Sequence, residues 1–152
     1  MLRTLALLTL ALLAACGRPD PVASSMGEGA QACLAEALYF EARGTGEEGR
    51  RAVGEVILNR AADPRFPSTI CGVVDQRYNG SCQFSYRCDA LPETYNEPAE
   101  LEKALQTAAL LLTDRGEDIT HGALYFHAAS MAPGWFATLH RLGRFGGNIF
   151  YR

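Results

Sequence analysis

Ala30-Gln31-Ala32-Cys33-Leu34-Ala35-Glu36-Ala37-Leu38-Tyr39-Phe40-Glu41-Ala42-Arg43-Gly44 reads as one helix and its stop. Alanine, leucine, glutamate and glutamine dominate it, and no glycine or proline interrupts it before Gly44. Leu34, Ala37 and Leu38 recur at helical spacing and mark the inward stripe. Glu41 falls on that same stripe, one and two turns beyond these residues. Glu36 lies well around the helix and is expected to face water. A carboxyl on an apolar face, next to Tyr39 and Phe40, is costly to ionise. Desolvation raises its pKa, which is what a general acid working near neutral pH requires. A second reading stands beside this one: Glu41 as a buried structural carboxylate paired with Arg43, Arg50 or Arg60.

Downstream, Gly44 to Gly46 make a turn into a second helix, from about Glu47 to Ala62, whose inner stripe is Ala52, Val53, Val56 and Ile57. Asn59 on this helix is expected to be a buried polar brace. Pro64 to Pro67 break the chain, and Ser68 or Thr69 can cap a short helix over Ile70, Val73 and Val74. Residues 75–97 show little periodicity and read as a disulfide-held loop or irregular hairpin. A loop of that length in a compact domain is usually functional. Pro98 opens a clear helix to about Arg115, with Leu101, Ala104, Leu105, Ala108, Leu111 and Leu112 as its stripe. Ala123 to His127 is a candidate strand, Pro133 to Leu139 a short helical turn, and Leu142 to Tyr151 a terminal β-hairpin. The sum is an α+β fold, dominated by helices, with a small sheet.

Upstream, Arg3 precedes an apolar run from Thr4 to Ala15 that is too short to span a bilayer as a helix, which takes ~20 residues. The run ends Leu13-Ala14-Ala15-Cys16. A charged start, an apolar run and small residues before a cysteine predict a lipoprotein signal peptide over 1–15, with Cys16 as the lipidated first residue. Residues 16–29, rich in Pro, Ser and Gly, are expected to be a flexible tether, and 30–152 the folded catalytic domain. Such a protein would face the periplasm from a membrane; Gly17 in place of Asp gives no reason for inner-membrane retention, so the outer membrane is expected.

The chain has 152 residues, a formal net charge of −3 and five cysteines. Its mild acidity, with no basic stripe, argues against a nucleic-acid partner. Beyond Cys16, an exported domain with Cys33, Cys71, Cys82 and Cys88 implies two disulfides. Cys82 and Cys88 bracket a short turn and form a plausible local pair, which leaves Cys33 with Cys71, although four cysteines allow three pairings. The spacing lacks the knuckle of a structural zinc site.

Several motifs share one order and spacing: Glu41-Ala42-Arg43-Gly44, then Glu48-Gly49, Val56-Ile57-Leu58-Asn59-Arg60, Phe66-Pro67 with Ile70-Cys71 and Val73-Val74, Cys82-Gln83-Phe84-Ser85, Phe126-His127, Pro133-Gly134-Trp135 and Phe150-Tyr151-Arg152. Together they resemble the cell wall hydrolase family, whose namesakes are the SleB/CwlJ spore-cortex-lytic enzymes. The resemblance covers about residues 31–152. It implies a fold related to lysozyme and the lytic transglycosylases, and cleavage of the N-acetylmuramic acid–N-acetylglucosamine bond of peptidoglycan. It also implies that Glu41, in the E-A-R-G motif, is the catalytic acid. Thr45 and Asn148 depart from the family pattern, which often has Glu and His there. Spore-cortex specificity is not carried over.

Gln83, Phe84 and Ser85 are candidate groove residues, since glycan sites pair an aromatic platform with amide and hydroxyl groups; Phe84 alternatively packs the loop down. Tyr125, His127 and Trp135 are candidates for the opposite wall, with His127 more often structural than catalytic in such a setting. A hydrolase would need a second carboxylate ~5–9 Å away, for which Glu47, Glu48 and Glu55 are candidates. No metal or cofactor is expected, and the sequence leaves any protein activator open. Three rival functions remain. A zinc amidase would draw on His121, His127 and His140, but no H-E-x-x-H occurs. A thiol peptidase would use Cys33 with His127. A non-catalytic wall-binding lipoprotein would keep the groove and tolerate loss of Glu41.

Overall fold

The computed structural model describes residues 29–131 and 134–152, without the Trp135 side chain. The expected signal peptide, Cys16 and nearly all of the tether lie outside the described residues. Helix α1 spans Ala30–Glu41, α2 Gly46–Ala62, α3 Ile70–Val74 and α4 Pro98–Thr113. Strands β1 (Arg77–Tyr78) and β2 (Ser81–Cys82) form a small hairpin. Strands β3 (Tyr125–Ala128), β4 (Arg141–Phe145) and β5 (Asn148–Tyr151) form an antiparallel sheet in the order β3-β5-β4. Single 3-10 turns cover Ser85–Cys88 and Gly134–Thr138. The α+β, helix-dominated architecture agrees with the pattern of the sequence.

Helix α1 is the centre of the molecule: it packs against α4, α3 and α2. Its expected stripe of Leu34, Ala37 and Leu38 is fully buried, and Ala35 and Tyr39 are buried too, so nearly the whole helix is enclosed. Against it lie Val53, Val56 and Ile57 of α2, Val73 and Val74 of α3, and Leu101, Ala104 and Ala108 of α4. Each large aliphatic side chain here contributes about 1.5–3 kcal/mol by leaving water. Pro98 occupies the first turn of α4, where its missing N–H costs nothing. Thr69 caps α3, its Oγ1 accepting the Gly72 N–H at 3.0 Å.

The β1–β2 hairpin turns at Asn79 and Gly80, both with positive φ, the pairing favoured in two-residue hairpin loops. Both expected disulfides are present, Cys33–Cys71 and Cys82–Cys88. The first ties α1 to α3; the second closes the loop that follows α3.

Two details differ from expectation. Helix α4 ends at Thr113, because the chain bends so that Arg115 Nε can donate to buried Glu55 Oε2 at 2.6 Å. Glu36 does not face water. It pairs with Arg87 at 2.9 Å and accepts the Tyr95 hydroxyl at 3.1 Å, because the disulfide loop folds back over that side of α1.

Candidate active site

The last residue of α1 is Glu41, and it opens into a cleft of about 400 Å³. The described residues lining this cleft are Glu41, Arg60, Gln83, Phe84, Phe126, His127, Ala128, Met131 and Asn148. One helix end, the second helix, the disulfide loop and two strands therefore converge on one carboxyl. Glu41 is the only acidic side chain among these residues. Burial raises its pKa from the ordinary carboxylate range, and the Arg60 charge offsets part of the rise.

Two of the three partners proposed for a structural Glu41 are engaged elsewhere. Arg43 pairs with Glu97 at 3.0 Å, and Arg50 donates to Thr107 at 3.1 Å beside Glu100. Arg60 lies in the same cleft, yet no ion pair joins it to Glu41 among the described residues. The Arg60 side chain is buried, its Nε donating to the Leu124 carbonyl at 2.7 Å. The rings of Phe66, Phe84 and Tyr125 surround its guanidinium. Burial pushes its pKa down to about 10, against the opposing influence of Tyr125 and Glu41.

Of the candidate groove residues, Gln83 is exposed at the cleft, and Phe84 is 2% exposed and packs the loop onto the core. Ser85 begins the 3-10 turn and points to solvent away from the lining. Tyr125 lies against Phe66 and Arg60, behind the cleft rather than in its wall. Its neighbour His127 does line the wall. Nδ1 of His127 donates to the Ala128 carbonyl at 2.8 Å, which can only accept, and Nε2 lies 2.9 Å from the Tyr151 hydroxyl oxygen. Both ring nitrogens are thus engaged, which suits a wall-building histidine. The Trp135 side chain lies outside what the structure describes.

Glu47 and Glu48 are exposed on α2 and do not line the cleft. Glu55 is fully buried and serves as a brace, held by Arg115 and, at 3.5 Å, by Arg51. Asn59 donates to Asp118 and to the Ala123 carbonyl and accepts from Arg115 at 2.6 Å, fixing the segment that leads into β3. Cys33 lies in a disulfide and offers no thiolate. Among the described residues no three His, Cys, Asp or Glu side chains stand where they would hold a metal ion, and no helix is long and apolar enough to cross a membrane.

The two departures from the family pattern occupy different places. Thr45 caps the end of α1, its hydroxyl donating to the Ala42 carbonyl at 2.7 Å, and is not part of the lining. Asn148 is buried at the start of β5 and lines the cleft directly. The turn before it is seated on α2. A Cβ on Gly146, whose φ is +52°, would fall 2.5 Å from the Thr45 carbonyl oxygen and 2.9 Å from the Gly49 nitrogen, so only glycine fits. Arg60, Phe126, Ala128 and Met131 were not among the candidate groove residues. Arg60 was named as a partner for Glu41, and helical spacing alone does not tell a partner from a neighbour.

A family model described as Cell Wall Hydrolase matches residues 44–151. The spore cortex-lytic enzyme of Bacillus subtilis (strain 168) is 31% identical over 138 residues, 88% of this chain and 42% of its own length. That of Oceanobacillus iheyensis is 34% identical over 118 residues, 77% of this chain and 39% of its own. The chain therefore spans less than half the length of these relatives. The solved structure of the catalytic domain of the germination-specific lytic transglycosylase SleB from Bacillus anthracis superposes with a TM-score of 0.61 at 29% identity, covering 83% of this chain and 96% of that one. The chain belongs to the cell wall hydrolase family.

Proposed function

We propose that this member of the cell wall hydrolase family is a peptidoglycan lytic transglycosylase that cleaves the N-acetylmuramic acid–N-acetylglucosamine bond with Glu41 as both acid and base. One observation carries this reading: the cleft holds a single, desolvated carboxyl and no second acid among its described lining residues. Hydrolysis with two carboxylates needs a partner across the scissile bond; cyclisation does not. Protonated Glu41 gives its proton to the glycosidic oxygen as the C1–O bond breaks, and positive charge develops at C1. The resulting carboxylate takes the proton of the muramic 6-hydroxyl as that oxygen closes on C1. The products are a 1,6-anhydro end and a free hydroxyl on the leaving sugar; no water is consumed, and Glu41 is again protonated. A carboxyl whose pKa is raised by burial suits both halves of this cycle. Gln83 and Asn148 supply amide groups for sugar hydroxyls and N-acetyl groups, with His127 and Phe126 as the wall.

We further propose that this domain is held in the cell envelope as a lipoprotein anchored through Cys16, a reading supported by the charged start, apolar run and small residues before that cysteine. A Cys16→Ser variant is expected to leave the membrane fraction; one that stays there refutes the anchor. The reaction is tested by mass spectrometry of muropeptides from purified sacculi. Anhydro ends are expected. Reducing ends would make the enzyme a hydrolase, and free stem peptides an amidase.

A further inference from the structure

Arg60 has an unusual arrangement for a buried cation. Its side chain is 2% exposed. Nε is anchored on the Leu124 carbonyl, and three aromatic rings hold the guanidinium plane. Yet Nη1 is buried with no hydrogen-bond partner. A buried guanidinium N–H without an acceptor costs free energy, and native proteins rarely leave one without a reason. Glu41 is the acidic group whose charge is felt at Arg60, and both residues line the same cleft. The other titratable groups facing the pair are Tyr125 and His127 on β3 and Tyr86 on the 3-10 turn.

We infer that Arg60 is a positioning residue whose free Nη1–H receives the Glu41 carboxylate as its proton passes to the glycosidic oxygen. This rests on the transglycosylase role assigned to Glu41. In the resting enzyme burial favours the protonated form of Glu41, so Arg60 gains less from it than from the carboxylate. As the O–H bond of Glu41 breaks, negative charge grows on the carboxylate, and the Arg60 guanidinium in the same cleft offers it an unused donor. Such an interaction is stronger in the transition state than in the ground state and therefore raises the rate rather than the affinity. In the second half of the cycle the same donor holds the carboxylate until the 6-hydroxyl proton returns to it. The unpartnered arm is then explained: its acceptor exists only during the reaction.

The guanidinium serves Leu124 through Nε and offers Glu41 a second, separate nitrogen, which a single ammonium held at Leu124 does not have. Arg60→Lys keeps a cation among the three rings and a donor for Leu124 but loses the second arm. On soluble glycan strands, R60K is expected to fold, to keep KM within about threefold and to lose kcat by about tenfold or more, the modest end of removing a preorganised donor. Arg60→Gln also removes the charge that opposes the upward shift at Glu41. Its kcat/KM profile should hold its alkaline limb to higher pH, together with a lower plateau. A purely structural arginine moves neither the limb nor the rate of the folded fraction. Parental kcat in folded R60K, or an unshifted limb in folded R60Q, overturns the inference. Glu41→Gln in the same assay separates the two claims: if E41Q stays active the role of Glu41 fails, whereas inactive E41Q with fully active R60K refutes only the role of Arg60.

Discussion

Gly146 should be among the least replaceable residues outside the catalytic groups, and its neighbour Gly147 shows why. Both have positive φ, +52° and +85°. An alanine in that region costs about 1–2 kcal/mol. At Gly147 nothing lies within 4 Å of the added Cβ, so that conformational cost is the whole effect. At Gly146 the Cβ meets backbone on three sides: the Gly49 Cα, the Thr45 carbonyl oxygen at 2.5 Å and the Gly49 nitrogen at 2.9 Å. Ordinary contact needs ~3.5 Å, so the turn must withdraw from α2 by about 1 Å. Overpacking of this kind adds about 1–3 kcal/mol. The total for Gly146→Ala is about 2–5 kcal/mol, or a fall in Tm of about 8–20 °C at roughly 4 °C per kcal/mol. Gly147→Ala should fall by about 4–8 °C on the same scale. Thermal unfolding followed by circular dichroism with disulfides intact gives both values. Sacculus cleavage below both transitions should also drop in G146A alone, because Asn148 two residues on is carried out of the cleft wall. Equal losses of stability in the two variants would refute the close seating of the turn on α2.

Glu41→Gln should stabilise the protein at neutral pH. Burial raises the Glu41 pKa above its ordinary value of 4.5, so the folded state favours the protonated form. Stability from that preference is complete below the ordinary value and is lost as pH rises through the folded one. The advantage of E41Q, measured by denaturant titration across pH, should therefore shrink to nothing in acid; a constant difference contradicts it. Glu36→Gln should cost about 1–2 kcal/mol while leaving cleavage intact, since it weakens the Arg87 and Tyr95 contacts and touches nothing in the cleft; chemical denaturation and a sacculus assay check both halves. Thiol titration of the denatured, unreduced domain should find no free thiol at the four paired cysteines. Loss of Cys33–Cys71, which spans 38 residues, should cost more than loss of Cys82–Cys88, which spans 6, by about 4 against 2 kcal/mol on the loop-entropy scale; equal costs would contradict that account.

The helices were legible because each carries a long periodic stripe ended by glycine, proline or a capping hydroxyl, as at Gly44, Thr69 and Pro98. The two disulfides agree with the favoured one of the three pairings that four cysteines allow, in which the short Cys82–Cys88 span suggested the local pair and left Cys33 with Cys71. The convergence of Glu41, Gln83 and His127 was legible only through the shared motifs, since 86 residues of chain separate the first from the last. Glu36 was misread because a helical wheel shows which way a side chain points but not what folds over it. The disulfide loop brings Arg87 and Tyr95 there by a path with no periodic signal. The Asn79-Gly80 turn was in plain view but sits between strands too short to show alternation. Arg60 shows the same limit from the other side: its position on α2 follows from spacing, while its anchoring on Leu124 and its unpartnered arm depend on β3 arriving beside it.

The central claim is that one carboxyl, Glu41, carries the proton in both directions. It is tested most directly by the rate at which Glu41→Gln cleaves purified sacculi, beside Glu102→Gln on the exposed face of α4 as the control. Glutamine keeps the shape and hydrogen-bonding reach of Glu41 but has no proton to give to a leaving oxygen. E41Q should be folded and slower by at least ~100-fold, with E102Q at the parental rate. A folded E41Q that releases muropeptides as fast as the parent would mean that the carboxyl is structural and that the chemistry lies elsewhere.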